Sequence, residues 1–205
     1  MTRRIGVHDA VRSGDDDEKK PDPLSNAIVK QLLDSRTVLL TGPVTDELSQ
    51  KIVAQLLVLD ARDVERPIRV YINSPGGSVD AGFAIYDAMR FVRAPVHVIC
   101  AGLAASAATV ILLGAAKGSR YTLPNTRFLL HQPSTGMQGQ ASDISIGAQQ
   151  ILNLRARINR LLAAETGQPL ERIETDTHRD YWMTAEEAVA YGLIDSIVAS
   201  ASELP

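Results

Sequence analysis

A chain of 205 residues that is 45% hydrophobic and 22% charged has enough apolar side chain for one globular domain with a sizeable core. Its formal net charge of -3, its lack of any Lys/Arg block and its 4% aromatic content argue against nucleic acid as a partner. A single cysteine, Cys100, excludes an internal disulfide framework and any zinc site built on cysteines.

Residues 1–23 include the run SGDDDEKKPDP and are expected to form a flexible charged tail ahead of a domain spanning 24–205. No apolar segment follows Arg3 and Arg4, so a secretory or twin-arginine signal is not supported and a cytoplasmic protein is expected. The spacing of Leu24, Ile28, Leu32 and Leu33 predicts a short amphipathic helix over 24–33. TVLL at 37–40 predicts a strand, and Asp46 is the expected N-cap of a helix running to Leu59. IRVYIN at 68–73 predicts a second strand, leading through Ser74, Pro75, Gly76 and Gly77 into a helix over 79–92. VHVICA at 96–101 predicts a third strand. Strands and helices alternating at this cadence imply a parallel sheet with crossover helices. Further short strands are expected over 120–123, 127–130 and 194–198. The longest helix is expected over 141–166, with Ile144, Ile151, Leu154, Ile158, Leu161 and Leu162 on one stripe. Gly167 and Pro169 stop it, and two shorter helices follow over 170–177 and 185–191. Thr184 with Glu187 forms a capping box for the last.

One stretch, 98–116, reads VICAGLAASAATVILLGAA and sets a single serine, Ser106, among alanines. It reads two ways: as an N-cap serine opening a buried helix, or as a hydroxyl placed where free backbone N–H groups favour a developing negative charge. In parallel α/β sheets ligands bind beyond the carboxyl ends of the strands. Gly76-Gly77, Ser106 and His131 all follow strands and would arrive there. A hydroxyl, an imidazole and close-approaching glycine amides are what acyl transfer to serine requires. Of the four histidines, His8 lies in the tail, His97 is mid-strand and His178 is in a polar stretch, whereas His131 ends a strand before Gln132-Pro133. No GxSxG motif surrounds Ser106, no P-loop or GxGxxG spacing follows Gly76, and no HExxH is present, so no cofactor or metal is expected.

The segments YINSPGGSVDAGFAIYDAM, ICAGLAASAA, GAAKGSRYTLPNTRFLLHQP, QGQASDI and DTHRDYWMTAEEAVAYGLID resemble the proteolytic subunit of the ATP-dependent Clp protease, over roughly 35–198. The resemblance implies a crotonase-like α/β fold of stacked ββα units with a protruding handle, about 134–166, in which a strand over 136–140 precedes the long helix. It implies a serine endopeptidase with Ser106 as nucleophile, His131 as base and Asp180, rather than nearby Asp176, as the acid that orients it. The oxyanion amides fall on Gly77 and Ala107. It further implies heptameric rings stacked as a tetradecamer, unfolded polypeptides delivered by a hexameric AAA+ ATPase, and a role in protein quality control. Tyr71 and Tyr121 would belong to the ATPase docking groove, and Gln138 and Arg179 to the contact between rings. This chain departs from the pattern in its charged residues 1–30, in Arg69 and Ala101 at groove positions, and in His178 beside Arg179. The rival readings are a weakly active or non-catalytic paralogue that assembles in a mixed ring, and an acyl-CoA hydratase or isomerase. The latter would use carboxylates rather than this serine and histidine.

Overall fold

β-Branched residues at alternate positions build a parallel sheet whose buried face is sealed by helices. A computed structural model describes residues 23–205 except 135 and 137, so the tail expected over residues 1–23 lies, up to residue 22, outside the described residues. The order is α1 (Pro23–Asp34), β1 (Thr37–Thr41), α2 (Asp46–Arg62), β2 (Ile68–Ser74), α3 (Val79–Phe91) and β3 (Val96–Ala105). There follow α4 (Ala107–Leu112), β4 (Arg120–Thr122), β5 (Arg127–Leu130), α5 (Ala141–Thr166), α6 (Leu170–Asp176), β6 (Tyr181–Met183), α7 (Ala185–Tyr191) and β7 (Ser196–Ile197). The main sheet runs β1-β2-β3-β4-β7, every pair parallel. Val38, Leu40, Val70, Ile72 and Val98 share one core with Ile52, Leu56, Ile85 and Met89 of α2 and α3. Burial of this apolar surface is the main force holding the layers together.

Three expectations need correction. The N-cap of α2 is Thr45, whose Oγ1 accepts from the Leu48 N–H at 3.1 Å. Asp46 is instead the first helical residue, where its charge complements the dipole. The last strand is Ser196–Ile197 rather than 194–198, because the N–H groups of Leu193 and Ile194 still donate to the Ala188 carbonyl closing α7. No strand is formed by the described residues of 136–140, of which 137 is not described.

β3 is the spine of the molecule, extending to Ala105 where the sequence predicted an end at 101. Its register against β2 passes from Ile72↔Cys100 to Ser74↔Ala104, so two residues of β2 span four of β3, with Gly102 at φ 84° in the bulge. Before the bulge β3 pairs with β4, through Val98↔Arg120 to Cys100↔Thr122. After it β3 pairs with β5, through Leu103↔Arg127 to Ala105↔Leu129. The antiparallel strand β6 continues from β5 and was not foreseen in the sequence.

α5 is buried only at Ile158, Asn159 and Leu162, near its C-terminal end. Ile144 and Ile146 at its start are exposed, so the predicted apolar stripe finds no partner along that part within one chain. The rooted end is fixed by Arg120 of β4, which is fully buried. Its guanidinium donates to the carbonyls of Ala115 (2.9 and 2.7 Å) and Leu113 (3.2 Å), and pairs with Glu165 of α5. Removing one partner of a buried pair leaves an uncompensated charge, at a cost of about 3 kcal/mol. Glu165→Ala is therefore expected to lower unfolding stability in urea by about that amount; a loss within measurement error would show that the carbonyls alone satisfy Arg120.

Candidate active site

Ser106 joins β3 to α4 with φ 55° and ψ -123°, a backbone conformation sparsely populated by non-glycine residues. Its N–H donates to the Leu129 carbonyl of β5 at 2.9 Å. Its own carbonyl accepts from the N–H of Thr109 (2.9 Å) and the Thr109 hydroxyl (2.6 Å). The turn is thus tied to β5 on one side and to α4 on the other. A strand, a sharp turn at serine and a helix make the geometry of a nucleophile elbow. Here the positions two before and two after the serine are Ala104 and Ala108, both fully buried, so the GxSxG motif is absent while its geometry is present. The Ser106 side chain makes no capping bond to α4, and the capping half of the sequence reading does not hold. Among the described residues its hydroxyl has no hydrogen-bond partner.

The turn after β2 presses against this elbow. A Cβ on Gly76 would lie 2.6 Å from the Ala105 carbonyl oxygen, 2.7 Å from Ser106 Cβ and 2.9 Å from Ala107 N. Only glycine permits that approach, and at φ 88° glycine also adopts the backbone without strain. Val44 N–H donates to the Gly76 carbonyl (2.9 Å) and Ser78 N–H to the Val44 carbonyl (2.8 Å), bracketing Gly77 in a parallel bridge. Among the described residues, the N–H groups of Gly77 and Ala107 have no acceptor. Two free amides therefore flank the serine, from the β2 turn and from the start of α4.

The β5–β6 register supplies the other half. Phe128↔Met183, Leu129↔Trp182 and Leu130↔Tyr181 are paired, which makes His131 and Asp180 the next opposed residues. His131 Nδ1 lies 3.1 Å from Asp180 Oδ1. That contact assigns the proton to Nδ1 and leaves Nε2 as the basic nitrogen. Beyond it, Gln132 N–H donates to the Thr177 carbonyl (2.7 Å) and Gln132 Nε2 to the His178 carbonyl (2.9 Å). Buried Thr177 in turn places its hydroxyl 3.2 Å from Asn159 Oδ1 on α5. Asp176 is engaged elsewhere: it accepts from the Tyr191 hydroxyl at 2.9 Å and pairs with Arg172 at 3.4 Å. Burial and the bond to Asp176 push the Tyr191 phenol up. Of the two carboxylates weighed in the sequence, Asp180 is the one that faces the imidazole.

Ser106 and His131 line one cavity, walled by Val79, Val110, Leu130, Ile158 and Leu162. No hydrogen bond joins them, as is common for catalytic pairs without substrate. The Cys100 thiol is fully buried, and burial pushes its pKa up, away from nucleophilic use. Tyr71 and Tyr121 lie together on the outer face of the sheet, around Ile99 and Val198. Gln138 and Arg179 are both exposed, and no hydrogen bond joins them within one chain. Among the described residues, no three His, Cys, Asp or Glu side chains are grouped to hold a metal. No described helix is long and apolar enough to cross a membrane.

A family profile described as Clp protease matches residues 20–201. The span includes Gly77, Ser106, His131 and Asp180.

Displacing a reacting group by about 1 Å can cost on the order of 100-fold in rate. Gly76→Ala is expected to slow labelling of Ser106 by a fluorophosphonate about that much. Gly118 shares φ 88° but has open space around it, so Gly118→Ala should leave the rate within about twofold. Equal effects in the two variants would mean that backbone strain, not contact with the elbow, governs the site.

Proposed function

The chain belongs to the Clp protease family, and we propose that it acts as a serine endopeptidase subunit in which Ser106 is the nucleophile, His131 the general base and Asp180 the acid that orients the imidazole. The observation that carries this reading is the 3.1 Å contact between His131 and Asp180, made by an imidazole that lines the same cavity as Ser106. His131 Nε2 takes the hydroxyl proton as Oγ attacks the peptide carbonyl. The carbonyl oxygen becomes an oxyanion and is held by the N–H groups of Gly77 and Ala107, which have no competing acceptor among the described residues. The imidazolium, steadied by Asp180, gives its proton to the leaving amine, and an acyl-serine ester remains. Water, deprotonated by the same imidazole, attacks the ester and releases the second peptide. No cofactor takes part in either step.

The proposed setting is a compartment of stacked heptameric rings in the cytoplasm, fed with unfolded polypeptide by a hexameric AAA+ ATPase. The exposed apolar residues Ile144 and Ile146 of α5 support a ring-to-ring role for that helix, and Gln138 and Arg179, both exposed, are assigned to the same contact. Tyr71, half-buried on the outer face of the sheet, and Tyr121, buried beside it, belong to the face proposed for the ATPase.

Ser106→Ala is expected to reduce hydrolysis of a fluorogenic peptide by about 10⁴-fold or more, with the oligomer distribution in native mass spectrometry unchanged. Turnover comparable to the unsubstituted chain would exclude Ser106 as nucleophile.

A further inference from the structure

The outer face of the sheet carries two rows of side chains with different chemistry. Strand register aligns Leu39, Tyr71, Ile99, Tyr121 and Ser196 across β1, β2, β3, β4 and β7. Two residues earlier on each strand it aligns Thr37, Arg69 and His97. Side chains two apart on a strand share a face, and the rows are about 7 Å apart.

The first row is apolar up to Ser196 at its edge and is covered at one end only. Val198 and Leu204 pack over Ile99 and Tyr121, which are buried, while Leu39 is 43% exposed and Tyr71 is half-buried. The second row holds an unmatched cation. Among the described residues the Arg69 guanidinium makes no hydrogen bond and no ion pair, although it is half-buried beside apolar surface. His97 packs edge-on against Tyr121, with ring centroids 5.9 Å apart. Its imidazole is held below the usual histidine range by burial and by Arg69, with no carboxylate offsetting the guanidinium. The nearby acids are engaged elsewhere. Asp195 accepts from the N–H groups of Gly118 and Arg120, and Asp63 from those of Glu65 and Arg66.

We propose that this face docks an extended segment of the partner ATPase that sets an apolar side chain on the accessible Leu39–Tyr71 end of the first row and a carboxylate, two residues away, on Arg69. The inference rests on the docking role proposed above for Tyr71 and Tyr121 and adds to it a charge requirement. Two residues of extended chain span about 7 Å, which matches the separation of the rows. A planar guanidinium beside apolar surface takes a carboxylate bidentately, in a medium where the attraction is stronger than in open water. A basic or neutral residue at that place would leave Arg69 repelled or unpaired, so the same contact discriminates between partners.

The test is selection of a random dodecapeptide display library on the immobilised full chain, after depletion on a Leu39→Ser/Tyr71→Ser variant. Because the Arg69 side chain makes no contact that the fold needs, Arg69→Glu can be selected in parallel. Peptides enriched on the unsubstituted chain should pair an apolar residue with Asp or Glu two positions away, at least threefold above the unselected library. On Arg69→Glu the acid should give way to Lys or Arg. Enrichment of apolar residues without the acid, or with an acid that persists on Arg69→Glu, would overturn the charge requirement and leave the docking face standing. Failure to recover any peptide after depletion would overturn both.

Discussion

The backbone of Ser106 is the constraint on which the site depends. A non-glycine residue held at φ 55°, in territory that glycine ordinarily occupies, costs about 1–3 kcal/mol, and it persists only where its surroundings over-determine it. Three contacts do so here: the Leu129 carbonyl on its N–H, Thr109 on its carbonyl, and Gly76 pressed against its Cβ. α4 behind it is buried along its whole length, so the turn cannot relax by moving the helix. The strain has a direct chemical consequence. It lifts the hydroxyl out of the capping position that an ordinary serine would take and leaves it free in the cavity.

The remaining groups converge because β3 changes partners halfway along. The bulge at Gly102 lets its first half pair with β4 and its second half with β5. The second pairing brings Leu129 beside Ser106 and delivers His131 from the end of β5. β6 then sets Asp180 opposite His131 by register alone. Asn159 and Thr177 join that loop to the rooted end of α5, which Arg120 and Glu165 hold to the core. The cavity and the outer face proposed for docking share strands but lie on opposite sides of the sheet.

Much of this arrangement was legible in the residues. Helix and strand order follows from apolar periodicity and caps, and the α7 capping box is formed as Thr184 and Glu187 predict. His131 stood out because it ends a strand before a proline. What escaped was set by tertiary contact. β6 is three residues long and exists only through pairing with β5, so its own sequence carries little strand signal. The elbow at Ser106 contains no glycine, and nothing in AASAA announces a positive φ. Spacing along the chain cannot separate Asp176 from Asp180; the β5–β6 register and the Tyr191 hydroxyl do. Thr45 and Asp46 are both good caps in adjacent positions, and only the Leu48 contact distinguishes them.

The most direct measurement is a crystal structure of the assembled protein with a peptide boronate, whose tetrahedral adduct reproduces the charge and shape of the acyl-transfer intermediate. Boron bonded to Ser106 Oγ, one boronate oxygen about 2.7–3.1 Å from the N–H groups of Gly77 and Ala107, and His131 Nε2 within hydrogen-bond reach would match the proposed chemistry. Boron bonded to another side chain, or an adduct on Ser106 whose oxygens point away from both amides, would contradict it.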